Sequence, residues 1–146
     1  MLALSDAHMK ELVDKGVLSI DPFDASRVTP AGYDLGLTKS ITLNPGDQKL
    51  VATYERIELP PNLVGLLHLR SSFAREGLIA SLALVDPGFR GQLTISLINA
   101  GKTSVKIARG EPLLQLTLIE LTSDAEKPYV GRYQESLGVM KSKRRT

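Results

Sequence analysis

The sequence predicts an all-β domain, a distorted β-barrel or jelly roll with one short helix at its start. Many short apolar or alternating runs follow Gly16, and turn signals such as Asn44-Pro45-Gly46-Asp47 and Pro87-Gly88 separate them at close spacing. Helical periodicity is confined to the first residues and to one turn at 72–76. A chain of 146 residues buries one sizeable core. We therefore expect a single domain over residues 1–135, followed by a basic and flexible tail over 136–146.

The individual elements follow from caps and periodicity. The helix is predicted from Ser5 to Lys15, because serine is a good N-cap and Gly16 suits a helix end. Period-two alternation and short apolar runs predict the strands, which lie at 17–20, 41–43, 49–54, 63–69, 78–85, 93–98, 104–107 and 113–121.

The composition excludes several classes of function. The chain has no cysteine and two histidines, so a disulfide, a thiolate nucleophile or a Cys/His metal site is not expected. Its net charge of +2 comes from the basic residues at the very end, Lys141, Lys143, Arg144 and Arg145, so no basic face for nucleic acid is predicted. The start carries no long apolar run. We therefore expect neither a signal peptide nor a membrane span, and a cytoplasmic location.

One hairpin carries a candidate catalytic residue. Asp86 precedes the Pro87-Gly88 turn and Phe89 follows it, so a carboxylate and an aromatic ring lie together at the mouth of the hairpin. Loops on a rigid scaffold often carry catalytic groups. The alternative interpretation is that Asp86 only initiates the turn, as aspartate often does.

Four short motifs occur in order along the chain: AGYDL at 31–35, RSSFAR at 70–75, VDPGFRG at 85–91 leading to NAG at 99–101, and GEPLLQL at 110–116. Each is weak alone, but the ordered set resembles the superfamily of the trimeric dUTP pyrophosphatases (dUTPases) and the dCTP deaminases. The resemblance implies a dUTPase-like β-clip subunit, a homotrimer with active sites at subunit interfaces, and a deoxynucleoside triphosphate as ligand. It also implies Mg²⁺ as cofactor, held by the phosphates and not by a protein cage.

The resemblance further implies roles for single residues. Asp86 would orient and deprotonate the attacking water, and Asp34 would order the water shell of Mg²⁺. Phosphates would be bound by the guanidinium and hydroxyl groups of Arg70, Ser71 and Ser72. The other implied substrate-binding residues are Phe89 on the deoxyribose, Gln115 on a phosphate, and Arg132 and Tyr133 in the tail.

Structural interpretations of the same residues stay open. Ser71, Ser72 and Asp34 are of types that commonly cap helices or start turns. Gln115 alternates with leucines and fits the solvated face of a strand, and Arg132 with Tyr133 fits a solvated tail.

Ser96 separates the two branches of the superfamily. Where the deaminases carry a glutamate that moves a proton to the leaving amino group, this chain has Ser96, and a hydroxyl cannot hold a proton near neutral pH. The sequence therefore predicts a Mg²⁺-dependent enzyme that hydrolyses dUTP to dUMP and diphosphate. A dCTP deaminase and a non-catalytic nucleotide-binding homologue are the alternatives. The stretch at 79–83, where the family reads the base, is shorter than in either branch, so the base preference stays open.

Overall fold

The computed structural model describes residues 2–144, and within them the chain is mostly β-structure. The helices are α1 (Asp6–Asp14) and α2 (Ser71–Arg75), and a 3₁₀ turn spans Ala25–Arg27. The strands are β1 (Leu2–Ala3), β2 (Ser19–Asp21), β3 (Val28–Thr29), β4 (Gly32–Leu35), β5 (Ile41–Leu43), β6 (Gln48–Glu58), β7 (Leu63–Leu69), β8 (Leu78–Ser81), β9 (Arg90–Asn99), β10 (Val105–Ile107) and β11 (Leu114–Glu120). No helix of the described residues is both long enough and apolar enough to span a membrane.

Three sheets enclose one core in this part of the chain. In the first sheet β11 pairs with β7 along one edge, and with β4 and β1 along the other, while β3 extends β4. The second sheet has the order β2-β6-β9-β8, and the third pairs β5 with β10. All pairs between these strands are antiparallel. Single bridges connect Leu37, after β4, with Thr53 of β6, and Gly65 of β7 with Val85, after β8. The expected distorted barrel is confirmed.

The helix at the start is confirmed close to its predicted bounds. The Ser5 hydroxyl accepts a hydrogen bond from the His8 N–H at 3.3 Å. After the C-cap residue Lys15, Gly16 adopts a φ of 69° and the helix does not continue. Met9 is fully buried, so the helix packs against the barrel through its apolar stripe.

Most predicted strands are present, but β1, β3 and β4 occur where the sequence predicted no strand, and β6 and β8 end at other residues than expected. β4 was not predicted, because all four of its residues are buried and it therefore shows no alternation of apolar and polar side chains. Close packing explains Gly32, since a Cβ there would lie 2.6 Å from the Leu116 carbonyl oxygen. The strand predicted over 78–85 ends at Ser81, and beyond it only Val85 pairs, with Gly65.

The C-terminal segment lies along the first half of β9. Gly91 pairs in parallel with Ser136, and the Gln92 N–H donates to the Ser136 carbonyl at 2.7 Å. The Met140 N–H donates to the Thr94 hydroxyl at 2.9 Å. Flexibility of the tail stays a prediction, and its Arg145 lies outside the described residues.

Candidate functional site

Asp34 and Gln115 face each other across two paired strands. Asp34 lies in β4 directly opposite Gln115 in β11, and His68 in β7 lies opposite Gln115 on the other side. The Asp34 side chain is buried, and its Oδ2 lies 3.2 Å from Nη1 of Arg70. The Gln115 amide donates to the Thr29 hydroxyl at 2.6 Å. The predicted residues Asp34, Arg70 and Gln115 therefore belong to the same sheet region.

Arg70, Ser71 and Ser72 form the link from β7 into α2. Arg70 has extended backbone angles, and its N–H donates to the Leu113 carbonyl at 2.9 Å. Phe73, which is buried, anchors the short helix, while Ser71 and Ser72 are exposed. Arg70 occupies the N-cap position and no side chain caps the helix, so the hydroxyls of both serines are free of a capping role. We call Asp34, Arg70, Ser71, Ser72 and Gln115 the β4–β11 cluster.

Burial and two neighbouring cations have opposite effects on the pKa of Asp34. Desolvation raises the pKa of the Asp34 carboxyl, while the charges of Arg70 and then Arg27 lower it. A buried carboxylate next to two guanidinium groups is suited to a site that must accept a change in nearby charge, such as the arrival of an anionic ligand.

Asp86 and Phe89 lie at the two ends of one tight turn. The Phe89 N–H donates to the Asp86 carbonyl at 3.0 Å, and Gly88 inside the turn has a φ of 83°, which favours glycine. The Asp86 side chain is exposed, whereas Phe89 is buried against Tyr129 with ring centroids 5.8 Å apart.

A cavity of about 450 Å³ opens beside this turn. Asp86 and Phe89 form one part of its wall, and Gln92 and Thr94 of β9 form another. Among the described residues that line this cavity, which we call the turn pocket, Asp86 is the one carboxylate. Ser96 does not line the pocket, and its hydroxyl accepts a hydrogen bond from the Gln48 amide at 2.7 Å.

The tail contributes Tyr133 to the wall of the turn pocket. The Tyr133 hydroxyl accepts a hydrogen bond from the Lys143 N–H at 2.9 Å, and the Lys143 ammonium lies 5.5 Å from the ring centroid. Arg132 is exposed and donates to the Lys143 carbonyl at 2.8 Å. Their roles toward a ligand stay predictions.

Gln134 is a site residue that the sequence did not single out. Its side-chain oxygen accepts from the Arg90 N–H at 2.7 Å, and its amide donates to the carbonyls of Gly88 at 2.8 Å and Tyr129 at 3.0 Å. One side chain therefore braces the turn that carries Asp86 and Phe89. Gln134 directly follows Arg132 and Tyr133 in the sequence, but nothing in these neighbouring residues identifies the turn as its partner.

The two groups of predicted residues lie apart within one chain. Val85, next to Asp86, pairs with Gly65, and Arg70 follows Gly65 by five residues along β7, which corresponds to about 16 Å. Because that pairing is antiparallel, Asp86 lies further still from Arg70. A single chain thus presents two part-sites, the β4–β11 cluster and the turn pocket.

Comparisons with known proteins agree on one superfamily. The model of the family described as "DCD: dCTP deaminase-like" matches residues 36–121. A dCTP deaminase of Thermococcus kodakarensis is 42% identical over 141 residues, covering 86% of this chain and 91% of that protein. A dCTP deaminase of Aeropyrum pernix is 42% identical over 168 residues and covers 94% of both.

Solved structures share the fold. The native EIAV dUTPase matches 79% of this chain and 98% of its own, with a TM-score of 0.61 and 26% identity. The 2′-deoxycytidine 5′-triphosphate deaminase of Agrobacterium tumefaciens matches 82% of this chain and 49% of its own, with a TM-score of 0.71 and 17% identity. The second likeness concerns the fold alone.

Proposed function

Since the chain belongs to the dCTP deaminase-like family, within the superfamily that also contains the dUTPases, we propose that it hydrolyses dUTP to dUMP and diphosphate. The observation that carries the proposal is Ser96. Deamination needs a group that takes a proton from water and gives it to the leaving amino group. A serine hydroxyl at this position cannot do so near neutral pH. Hydrolysis of the triphosphate needs no proton-transferring group next to the nucleobase.

Asp86 is the proposed general base. Its exposed carboxylate at the turn pocket deprotonates a water, the water oxygen attacks the α-phosphorus, and the bond from that phosphorus to the bridging oxygen breaks. Diphosphate leaves with the electron pair of that bond. The exposed position supports this role, because a water and a substrate both reach the carboxylate.

The β4–β11 cluster is the proposed phosphate site. Arg70 supplies charge and two directed donors, the free hydroxyls of Ser71 and Ser72 supply short ones, and Gln115 supplies an amide N–H. When phosphates bind, Gln115 exchanges its hydrogen bond to Thr29 for one to an oxygen of the ligand. Phe89 is proposed to stack against the deoxyribose. When the tail closes over the triphosphate, Arg132 is proposed to bind a phosphate and Tyr133 to stack on the ligand.

The residues present fit a magnesium ion bound mainly through the substrate. Among residues 2–144 no group of three or more His, Asp or Glu side chains could hold a metal, which suits Mg²⁺, since it commonly keeps several waters and binds phosphates with one or two carboxylates. Asp34 is the carboxylate that would face its water shell. When bound, Mg²⁺ supplies positive charge to the triphosphate.

The separation of the two part-sites supports an active site that is shared between subunits. Asp86 and Arg70 of one chain are too far apart to act on the same phosphate, whereas the turn pocket of one subunit and the β4–β11 cluster of another can meet across an interface. We therefore propose a homotrimer with three composite active sites. A cytoplasmic location stays a prediction.

Deamination of dCTP to dUTP and ammonia is the second candidate, and the names of the curated relatives favour it over hydrolysis. It requires a proton carrier other than Ser96, and in the described wall of the turn pocket that leaves Asp86. A nucleotide-binding protein without turnover is the third candidate, since by the resemblance the shortened stretch at 79–83 is where the family reads the base.

A substrate panel separates the three. Purified protein with Mg²⁺ is given dUTP, dCTP, dTTP and UTP, and diphosphate and ammonia are measured separately. The proposal expects diphosphate from dUTP and no ammonia from dCTP. Ammonia from dCTP establishes the deaminase, and binding without either product establishes the third candidate.

A further inference from the structure

Glu55 is a buried carboxylate that belongs to neither part-site. It lies in β6, where the pairing with β9 shifts register between Ala52 and Arg56, and its side chain is 1% exposed. Its Oε2 accepts a hydrogen bond from the Gly36 N–H at 3.0 Å. Burial raises the pKa of Glu55, while its hydrogen bonds and Arg27 lower it. A charge buried this deeply needs a partner.

Arg27 is that partner, and it also contacts the backbone of two other segments. Its Nη1 lies 3.4 Å from Oε1 of Glu55 and 3.4 Å from the carbonyl oxygen of Asp34. Its Nη2 donates to the carbonyl of Gly110. One guanidinium group therefore connects β6, the end of β4 and the loop before β11.

The pair holds the short segment from Asp34 to Gly36 at both ends. Arg27 contacts the carbonyl of Asp34, and Glu55 accepts from the N–H of Gly36. Gly36 also packs directly on Gly110, since a Cβ on Gly36 would lie 2.7 Å from the Gly110 carbonyl carbon. The segment that carries the Asp34 carboxylate is thus fixed against the loop that leads to Gln115.

The same contacts continue to Arg70. The Leu113 N–H donates to the Leu35 carbonyl at 2.9 Å, and the Leu113 carbonyl accepts from the Arg70 N–H at 2.9 Å. Arg70 is therefore connected through Leu113 to Leu35, which lies inside the segment that the pair holds at Asp34 and Gly36.

We propose that Glu55 and Arg27 are positioning residues whose ion pair sets the geometry in which Asp34, Arg70 and Gln115 receive the phosphates of the substrate. The inference rests on the proposed function. A buried ion pair often adds little to stability over an apolar replacement of similar volume. Neither side chain belongs to the proposed substrate contacts, so a positioning role accounts for the pair better than a stabilising one.

The test uses Glu55→Gln and Arg27→Met, with Glu58→Gln as the matched control. Glu58 lies in the same strand and pairs with Arg56, but its side chain is 41% exposed and contacts none of the cluster. Each variant is assayed by calorimetry for binding of a dUTP analogue with an imido group between the α- and β-phosphates. Carbon-13 NMR of the aspartate carboxyls follows the pKa of Asp34.

Glu55→Gln and Arg27→Met are each expected to weaken analogue binding about tenfold or more, as loss of supporting residues does in other sites, while the control binds as the wild type does. The pKa of Asp34 is expected to shift in opposite directions in the two variants. It rises in Arg27→Met, which loses a neighbouring cation, and falls in Glu55→Gln, which removes a buried negative charge and leaves Asp24 as the remaining carboxylate beside Arg27. The charged groups that act on these carboxyls are Arg70 and Arg27 on Asp34, and Arg27 on Glu55, with the buried Tyr33 phenol near Glu55.

Folded single variants that keep both the analogue affinity and the Asp34 pKa of the wild type overturn the proposal. If a single variant does not fold, the double variant Glu55→Met/Arg27→Met removes both charges together, and wild-type affinity in that protein also overturns it. If the wild type binds no analogue, the proposed function fails instead. The opposite pKa shifts then still decide whether the pair acts on Asp34.

Discussion

The Nη1 atom of Arg70 lies 3.2 Å from Oδ2 of Asp34, so an ion pair joins the residue that opens α2 to the buried strand β4. The Arg70 side chain is 42% exposed and the Asp34 side chain 12% exposed, so solvent reaches the cation far more readily than the carboxylate. An anionic ligand can therefore approach the guanidinium from outside without first exposing the carboxylate.

The pH dependence of stability should carry the mark of Asp34. Burial raises its pKa above the ordinary aspartate value, so the folded protein holds a proton that the unfolded chain has already lost. The free energy of unfolding therefore falls as the pH rises from the ordinary aspartate pKa through the raised one. In Asp34→Asn, the free energy of unfolding measured by urea denaturation should depend less on pH within this window. Turnover should fall about tenfold or more. If the free energy of unfolding of Asp34→Asn falls with pH as steeply as that of the wild type, Asp34 does not cause this pH dependence.

Asp86→Asn should stop the reaction and leave the protein folded. The side chain is exposed, so its removal costs little packing, whereas loss of a general base lowers turnover by about 10²- to 10⁴-fold. Steady-state kinetics and calorimetry with the imido analogue measure the two effects. Asp124→Asn, in an exposed loop, is the control. Full turnover by Asp86→Asn would remove this residue from the mechanism.

Ser96→Ala should have a small effect. The lost hydrogen bond to Gln48 is at the surface and contributes about 1 kcal/mol or less to stability, and the hydroxyl has no part in the proposed hydrolysis. We expect diphosphate release from dUTP at close to the wild-type rate. Loss of an ammonia signal from dCTP in this variant would instead place Ser96 in a deamination.

Phe89→Ala should relax the discrimination between dUTP and UTP, because the ring would no longer exclude a 2′-hydroxyl. Phe89 is 7% exposed and packs on Tyr129, so the variant should also lose about 3 kcal/mol or more of stability. Phe89→Tyr keeps the ring and serves as the control. The measurement is the ratio of kcat/KM for the two nucleotides. A ratio that stays constant in folded Phe89→Ala contradicts the stacking role.

Gln134→Met should loosen the turn between Asp86 and Arg90. The variant keeps the length of the side chain but removes three hydrogen bonds, and the Arg90 N–H and Gly88 carbonyl lose a partner. We expect turnover to fall about tenfold, and hydrogen exchange at the Arg90 amide to accelerate. Gln48→Met, which removes one surface hydrogen bond outside the turn, is the control. Unaltered exchange at Arg90 would show that the brace does not hold the turn.

Alternation in the sequence predicted the half-buried strands well. β6, β9 and β11 each present one face to the core and one to solvent over much of their length, so period two is visible in their residues. β4 was not predicted from the sequence because both of its faces are covered, and burial on both sides removes the alternation of apolar and polar residues. The boundary of β8 escaped because apolar residues continue past Ser81 after the pairing has ended.

The site residues also divide into those that the sequence predicted and those that it did not. Those in ordered motifs, such as Asp34, Asp86 and Gln115, were found through a resemblance carried by neighbouring letters. Glu55, Arg27 and Gln134 act through partners tens of residues away, at separations of 28 for Glu55 with Arg27 and 46 for Gln134 with Gly88. No local pattern encodes such contacts, which depend on the register of the sheets.

The first half of β9 would be an open sheet edge without residues 136–140. β8 covers only the stretch from Ser96 to Asn99, and the segment from Ser136 onwards takes its place beside Gly91 and Gln92. Unpaired edges of this kind readily recruit strands from other molecules. We therefore expect the C-terminal segment to protect the protein against aggregation, in addition to any contact with a nucleotide. A chain shortened before Ser136 would be prone to precipitate even if its barrel were intact.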